Sequence, residues 1–389
     1  MNSNRGARES PRPDRLTARQ LNRATLERQL LLDRPRLAVP DAVRRVVALQ
    51  AQEPASPYLA LWNRLAAFDP AALDRAFADR AVVKASLMRI TLHAVHADDY
   101  PSFHNAVIGT LRASRLNDGR FTAAGVTIAE ADELVRELVA FASEPRTKVE
   151  IEAMLADRVG GRRAGLWWAL RTLSPLHHAP IGGPWTFGSR ASFVAAGTPV
   201  EREPRDAAVR HLVRRYLEGF GPASVPDLGQ FALIPRAAIR DAIRNMDGEL
   251  VELESPDGTR LLDLAGMSIP RDDMPAPPRL MAMWDSVLLA YADRSRLIPP
   301  DYRPHVIRRN GDVLPSLLVD GFVAGVWRPV EGGVEATAFH RLPEGVWQGL
   351  AAEAAGLVAF LADRDPVVYR RYRRWWQTLP GAEVRVLPG

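Results

Sequence analysis

Gln50-Ala51-Gln52 sets two uncharged amides two residues apart. Val46 and Val47 precede Gln50 by four and three residues, so helical spacing puts Gln50 on the inward side of a helix opened by Pro40. Pro54 disfavours helical backbone at Glu53, and the helix is expected to end there. What such a pair offers is hydrogen bonding without charge: each glutamine has one carbonyl oxygen that accepts and two N–H groups that donate. The plain alternative is that Gln50 ties down the helix terminus.

Met88 to His96 is the second candidate. Met88, Ile90, Leu92 and Ala94 alternate with Arg89, Thr91 and His93, the pattern of a strand with one packed face and one face showing a cation, a hydroxyl and an imidazole. An ordinary solvated face would read the same way. His93 and His96 are three apart and fall on opposite faces of a strand, so no metal pair is expected. Tyr369-Arg370-Arg371-Tyr372-Arg373-Arg374-Trp375-Trp376 interleaves cations with aromatic rings, a mixture that grips phosphates and stacks on bases. Its alternative is a helix burying Val368, Tyr372 and Trp375 beneath a solvated basic face.

These residues need elements to hold them. The clearest set lies between Asp206 and Leu264. Val209, Leu212, Val213, Tyr216, Leu217 and Phe220 mark an amphipathic helix stopped by Gly221-Pro222. Ser224 and Asp227 have the spacing of a capping box for a second helix, and Pro235 opens a third. Alternation around Val251 and Leu253, a turn at Pro256-Asp257-Gly258 and a return through Leu261 make a β-hairpin. Three helices followed by a hairpin is the winged-helix order. A weaker echo has Thr147 and Glu150 as a capping box, a helix through Leu166 and Leu173, and a wing from Leu176–Ala179 and Trp185–Phe187. A third starts at the box Thr17/Gln20 and ends in strands at Ala81–Ala85 and Leu87–Val95.

The expected architecture is therefore α+β: three tandem winged-helix units followed by a small C-terminal β-barrel-like domain. The boundaries read 1–14 for a disordered tail, 15–140, 141–200 and 201–270 for the three units, and 271–389 for the last domain. In that domain strands are expected at Leu280–Ala290, Leu314–Val319, Phe322–Arg328 and Val334–Phe339, with a helix around Gly345–Leu361.

Composition narrows the chemistry. The chain has no cysteine, which excludes disulfides, thiolate zinc sites and iron–sulfur clusters. With them go the base-excision enzymes that carry a cluster and the zinc base deaminases. Lys+Arg exceed Asp+Glu by 51 − 46 = 5, a modest surplus that suits a polyanion. Nearly all of it is arginine, the lysines being Lys84 and Lys148. There is no phosphate loop, no Gly-x-Ser-x-Gly and no dinucleotide fingerprint, so no cofactor is implied. With no long apolar run and a polar N-terminus, the expectation is a cytoplasmic protein that makes no membrane contact; a nucleoid-associated monomer is a separate expectation that goes with a DNA partner.

Several of these segments together resemble the winged-helix DNA glycosylases of the AlkZ and YcaQ type. That family carries Gln-aliphatic-Gln or Gln-aliphatic-Asp as its catalytic motif, and Leu49-Gln50-Ala51-Gln52-Glu53-Pro54 is similar to the first form. Leu87-Met88-Arg89-Ile90-Thr91-Leu92-His93 resembles its Met-Arg-x-Thr-Leu-His segment, with Ile90 where glycine is frequent. Gly219-Phe220-Gly221-Pro222-Ala223 resembles its Tyr-Gly-Pro-Ala-Thr segment, with Phe220 in place of tyrosine and Ser224 in place of threonine. Trp284 to Arg296 and Leu318 to Trp327 resemble its C-terminal signatures.

The resemblance implies a monofunctional glycosylase acting on double-stranded DNA with alkylated, N7-type purines, including interstrand crosslinks. It implies Gln50 and Gln52 as catalytic residues and Arg89, Thr91, His93, Arg294 and Arg296 as DNA-binding residues, with neither metal nor cofactor. An N7-alkylated purine already carries positive charge and leaves without much acid help, so two amides that orient a water suffice. Lys84 is the only lysine near that region, which argues against Schiff-base chemistry. The other reading kept open is a non-enzymatic winged-helix DNA-binding protein or transcription regulator.

Overall fold

The computed structural model describes residues 14–188, 190–197 and 203–388. Residues 1–13 of the expected tail lie outside them. Asp14 does not belong to a tail: with Arg15 it forms a short strand parallel to Leu253–Glu254.

Helices start where side chains can satisfy their free N–H groups. Thr17 with Gln20, Thr147 with Glu150 and Ser224 with Asp227 each build the reciprocal capping box that their spacing requires. A fourth box, Thr127 with Glu130, opens Ile128–Phe141, which the sequence reading passed over. The long helix Tyr100–Leu116 was also missed.

The chain is a mixed α/β structure with four sheets among the described residues. The first has strand order Leu49–Gln50, Leu92–His96, Val82–Ser86, all antiparallel. In the second, Ser192–Ala195 lies between Arg146–Thr147 and Leu176–Ala179. Trp185–Phe187, expected as part of a wing strand, is instead in the loop between Leu176–Ala179 and Ser192–Ala195. The third sheet joins Asp14–Arg15 to the hairpin Leu250–Glu254 and Arg260–Leu264, which follows the helices Arg205–Phe220, Val225–Ala232 and Arg236–Arg244.

The C-terminal sheet has five antiparallel strands in the order Arg279–Leu280, Ser316–Val319, Phe322–Val330, Gly333–Ala338, Glu383–Leu387. Its two outer strands do not pair with each other, so the sheet is open and the expected barrel does not close. Asp320 and Gly321 both take positive φ, 48° and 82°, which matches the twist of the tight hairpin they form. The strand expected at Leu280–Ala290 is only two residues long; Ser286–Leu288 turns as a 3-10 helix after Trp284 at φ 53°.

Glu344–Ala362 is long and apolar enough to cross a membrane by length and composition. Alanine, leucine and valine supply that apolarity, and Gln348 and Glu353 interrupt it, so the sequence shows no unbroken apolar run. Here Trp347, Leu350, Ala354, Leu357 and Leu361 form its buried stripe, and it packs on the C-terminal sheet.

One hydrophobic core runs from Leu26 to Leu387. Buried arginines stitch it together. Arg28 meets both oxygens of Asp263 at 2.7 Å, and Arg64 meets both oxygens of Asp285 at 2.8 Å. Part of the arginine surplus is thus enclosed in ion pairs rather than presented to a polyanion. Breaking either pair would leave an uncompensated buried charge, a loss of roughly 3–5 kcal/mol.

Candidate active site

Gln50 sits on a strand, not at a helix end. The helix Val39–Arg45 stops early: Val46 caps it and Val47 turns at φ 73°. β-branched residues favour helix less than extended backbone. The chain then extends and pairs Leu49 with Ala94 and Gln50 with His93.

Met88–His96 is not one strand either. Val82–Ser86 and Leu92–His96 are joined by a tight turn in which Arg89 and Ile90 take φ 53° and 60°. A β-branched residue there is a true outlier, held only by its surroundings. The turn swings Arg89 back toward the neighbouring strand. Its Nη2 donates to Gln50 Oε1 at 3.3 Å and its Nη1 donates to the Phe231 carbonyl at 3.2 Å. The guanidinium also lies 5.3 Å from the Phe231 ring centre. Thr91 Oγ1 is 3.5 Å from the same Gln50 oxygen and donates to the Met88 carbonyl at 3.1 Å.

The expectation of an open imidazole at His93 is corrected: the residue is fully buried. Burial, reinforced by Arg89, holds its pKa well below the usual histidine value. The neutral ring donates from Nδ1 to the Thr91 carbonyl at 3.1 Å and accepts from Arg89 at Nε2, 3.2 Å away. Burial and the nearby Arg294 push the Arg89 guanidinium down to about 10, which leaves it charged at neutral pH.

The backbone of the two-glutamine segment is pinned from a distant part of the chain. Gln50 N–H donates to Ser286 Oγ at 3.2 Å, and Ser286 Oγ donates to the Ala48 carbonyl at 2.8 Å. Ala51 N–H donates to the Leu92 carbonyl at 2.8 Å. Gln50 is 4% exposed, whereas Gln52 lies at the surface with its Oε1 3.5 Å from the Leu92 N–H. One amide is fixed and enclosed and the other is open. Ser286 was visible in the sequence only as part of the Trp284–Arg296 segment; nothing local marks it as a support for Gln50.

The structure brings Arg89, Thr91, His93 and Arg294 to the Gln50 side of this centre. Arg296 stands apart. It donates to the Pro222 carbonyl at 2.9 Å and lies 4.1 Å over the Tyr291 ring, clamping the Gly221-Pro222 turn. On the other side, Arg371 and the Tyr372 hydroxyl both donate to Glu53, next to Gln52. The basic-aromatic stretch is a 3-10 helix, Arg370–Thr378, with Val368 buried and Tyr372 and Trp375 half-buried, close to the alternative reading of a helix under a basic face. Tyr369 is buried and its hydroxyl lies 3.0 Å from Ser56 Oγ, while Arg370, Arg373 and Arg374 are exposed.

In the sequence Lys84 counts only as an argument against Schiff-base chemistry. It is buried beside the same centre, 4.4 Å from the Phe187 ring, and burial pushes its ammonium down to about 8.

Comparison with known proteins gives the class: DNA glycosylases, hydrolases acting on N-glycosyl bonds. A family model described as DNA glycosylase AlkZ-like matches residues 43–376, and the chain belongs to that family. An interstrand DNA cross-link repair glycosylase from Streptomyces sahachiroi is 27% identical over 360 residues, covering 87% of this chain and 95% of that protein. The solved structure of the Streptomyces sahachiroi DNA glycosylase AlkZ shares the fold, with TM-score 0.75 at 24% identity over 91% of this chain and 99% of that one.

Proposed function

We propose that this glycosylase hydrolyses the N-glycosidic bond of N7-alkylated purines in double-stranded DNA, and so unhooks interstrand crosslinks joined through such bases. The observation that carries the reading is the asymmetric environment of the two glutamines. Arg89 donates to the Gln50 carbonyl oxygen, with Thr91 Oγ1 3.5 Å away, which leaves the Gln50 N–H groups to donate to a water oxygen. Gln52 is open, and its carbonyl oxygen accepts a hydrogen bond from the same water. The C1′–N9 bond breaks with its electron pair going to the cationic base, which departs neutral. The water oxygen bonds to C1′ and its surplus proton passes to solvent.

In this reading Arg89 holds the Gln50 carbonyl oxygen, and Arg294 lends positive potential to the nucleotide's phosphates. Thr91, His93 and Arg296 shape that side without a direct part in the reaction. The three small sheets, each with its preceding helices, are read as three tandem winged-helix units over 15–140, 141–200 and 201–270, followed by a C-terminal domain, in a chain that works as a monomer. The crosslink-repair name of the Streptomyces sahachiroi relative supports the substrate class.

The experiment is product analysis on a duplex with one N7-methylguanine. Free base and an intact strand carrying an abasic site are expected. A strand cut at the lesion, or a borohydride-stable covalent complex through Lys84, contradicts the monofunctional hydrolysis.

A further inference from the structure

The helix Leu166–Leu173 turns two kinds of face. Leu166, Trp167, Ala169, Leu170 and Leu173 are buried, while Trp168 and Arg171, three residues apart, share the outer side. Two guanidiniums lie over that outer indole, Arg120 at 3.6 Å from the ring centre and Arg115 at 4.2 Å. Gly165 makes this approach possible. It sits at φ 83°, and a side-chain carbon there would collide with the Arg120 carbonyl, so the turn carrying Arg120 locks onto the start of the helix.

The charges at this surface do not balance. Beside Trp168 opens a groove of about 440 Å³, lined also by Lys148, Glu152, Arg162, Arg163 and Arg171. Glu152 takes up Lys148 and Arg162, and Asp118 takes up Arg120. Among the described residues no carboxylate pairs with Arg115, Arg163 or Arg171. Arg115 Nε donates to Thr172 Oγ1 at 3.3 Å, which leaves its outer nitrogens toward the groove. Burial, then the neighbouring Arg171 and Arg120, hold the Arg115 pKa below the usual arginine value, and Asp118 offsets only part of that. Like charges held side by side favour an anion between them. Planar guanidiniums backed by a ring keep their N–H edges for phosphate oxygens.

The groove is not the reaction centre, but the chain ties the two together. The helix leads through Ser174 into the strand Leu176–Ala179, whose His178 lines a recess beside Gln52. Arg171 precedes His178 by seven positions, a reach of at most about 25 Å. A duplex seated at Gln52 and Gln50 covers that reach in less than one helical turn, which is about 34 Å.

We propose that this groove binds backbone phosphates of the duplex on one flank of the lesion, about one helical turn or less from the excised base. Arg115 and Arg171 share one phosphate and Arg163 takes the next. The inference rests on the reading of Gln50 and Gln52 as the reaction centre, because that reading puts the groove on a flank and not at the scissile nucleotide.

The test uses duplexes with one N7-methylguanine: one with about fifteen base pairs on both sides, longer than a helical turn, and two trimmed to about three on one side or the other. The wild type is expected to lose affinity when one particular flank is removed. In the double variant Arg163→Ala/Arg171→Ala, whose two side chains are exposed, the log K against log salt slope on the long duplex should become shallower by about 0.9 per lost contact. Single-turnover base release at saturating enzyme should stay at the wild-type rate, and on the duplex lacking that flank variant and wild type should bind alike. Arg171→Lys keeps the charge and should keep most of the slope, and Arg163→Ala alone should lower it by about 0.9. A double variant with wild-type slope and affinity overturns the groove, and so does a loss of affinity that is the same on all three duplexes. Flank-dependent binding by a wild type that releases no base supports the groove while overturning the reading of the two glutamines.

Discussion

Arg89 donates to the side-chain oxygen of Gln50 with one nitrogen and to the Phe231 carbonyl with the other, at 3.3 and 3.2 Å. One guanidinium therefore fixes the amide of the first sheet against the helix Val225–Ala232. The sequence reading assigned Arg89 to DNA. We propose that it positions Gln50 instead, which it reaches through a left-handed turn.

Arg89→Ala should therefore slow the chemical step more than it weakens DNA binding. Arg89→Gly should lose the same rate while keeping a melting temperature at or above that of the alanine variant, because glycine adopts φ 53° without strain. Single-turnover rates, DNA affinity and thermal melts of the two variants check this. A loss confined to affinity would return Arg89 to phosphate binding.

The two glutamines should respond differently to a carboxylate. Gln52→Glu keeps an acceptor for the water and should retain most of the activity on N7-methylguanine. Gln50→Glu removes the N–H donors and sets a carboxylate against Arg89 in an ion pair, so the rate should fall roughly 10²–10³-fold, the scale for one lost transition-state donor. Equal effects in single-turnover assays would contradict the assignment of donor and acceptor.

Acid should destabilise the fold through its buried histidines. Burial lowers His104 from 6.5 to about 4, and burial, with Arg80 and His104 nearby, lowers His177 to about 3. Among the described residues neither ring has a hydrogen-bond partner, and Tyr100 packs against both. In the unfolded chain the same rings take protons near pH 6.5, so the unfolded state binds more protons below that pH. Stability is then unaffected by these groups above about 6.5 and lost as the pH falls toward 4 and 3. His104 alone accounts for on the order of 3 kcal/mol at the acid end. Urea melts from pH 7 to 4 should show the decline, and His104→Phe should flatten it. An unchanged slope would show that the ring is protonated in the folded state.

The sequence carried the caps and the third set of helices with its hairpin. It misjudged what depends on contacts between distant residues. The period of Val46, Val47 and Gln50 is helical, yet Val47 turns and the sheet partner His93 draws Gln50 into a strand. Alternation through Arg89, Thr91 and His93 suggested one solvated face, but positive φ at Arg89 and Ile90 breaks the strand and buries His93. Ser286 and Lys84 reach the centre only through tertiary packing, and no local pattern announces either. The arginine surplus looked like a DNA footprint, while Arg28 and Arg64 use it to pair Asp263 and Asp285 inside the core.

The central claim is that Gln50 and Gln52 hold the attacking water. The direct measurement is single-turnover base release, enzyme in excess, from a duplex with one N7-methylguanine. Gln50→Ala and Gln52→Ala should each cut the rate roughly 10²–10³-fold. The double variant should lose less than the product of the two, because both act on one water. Melting temperature and DNA affinity should change little. Wild-type rates in both single variants would contradict the account and leave Gln50 as a structural hydrogen-bonding residue of its strand.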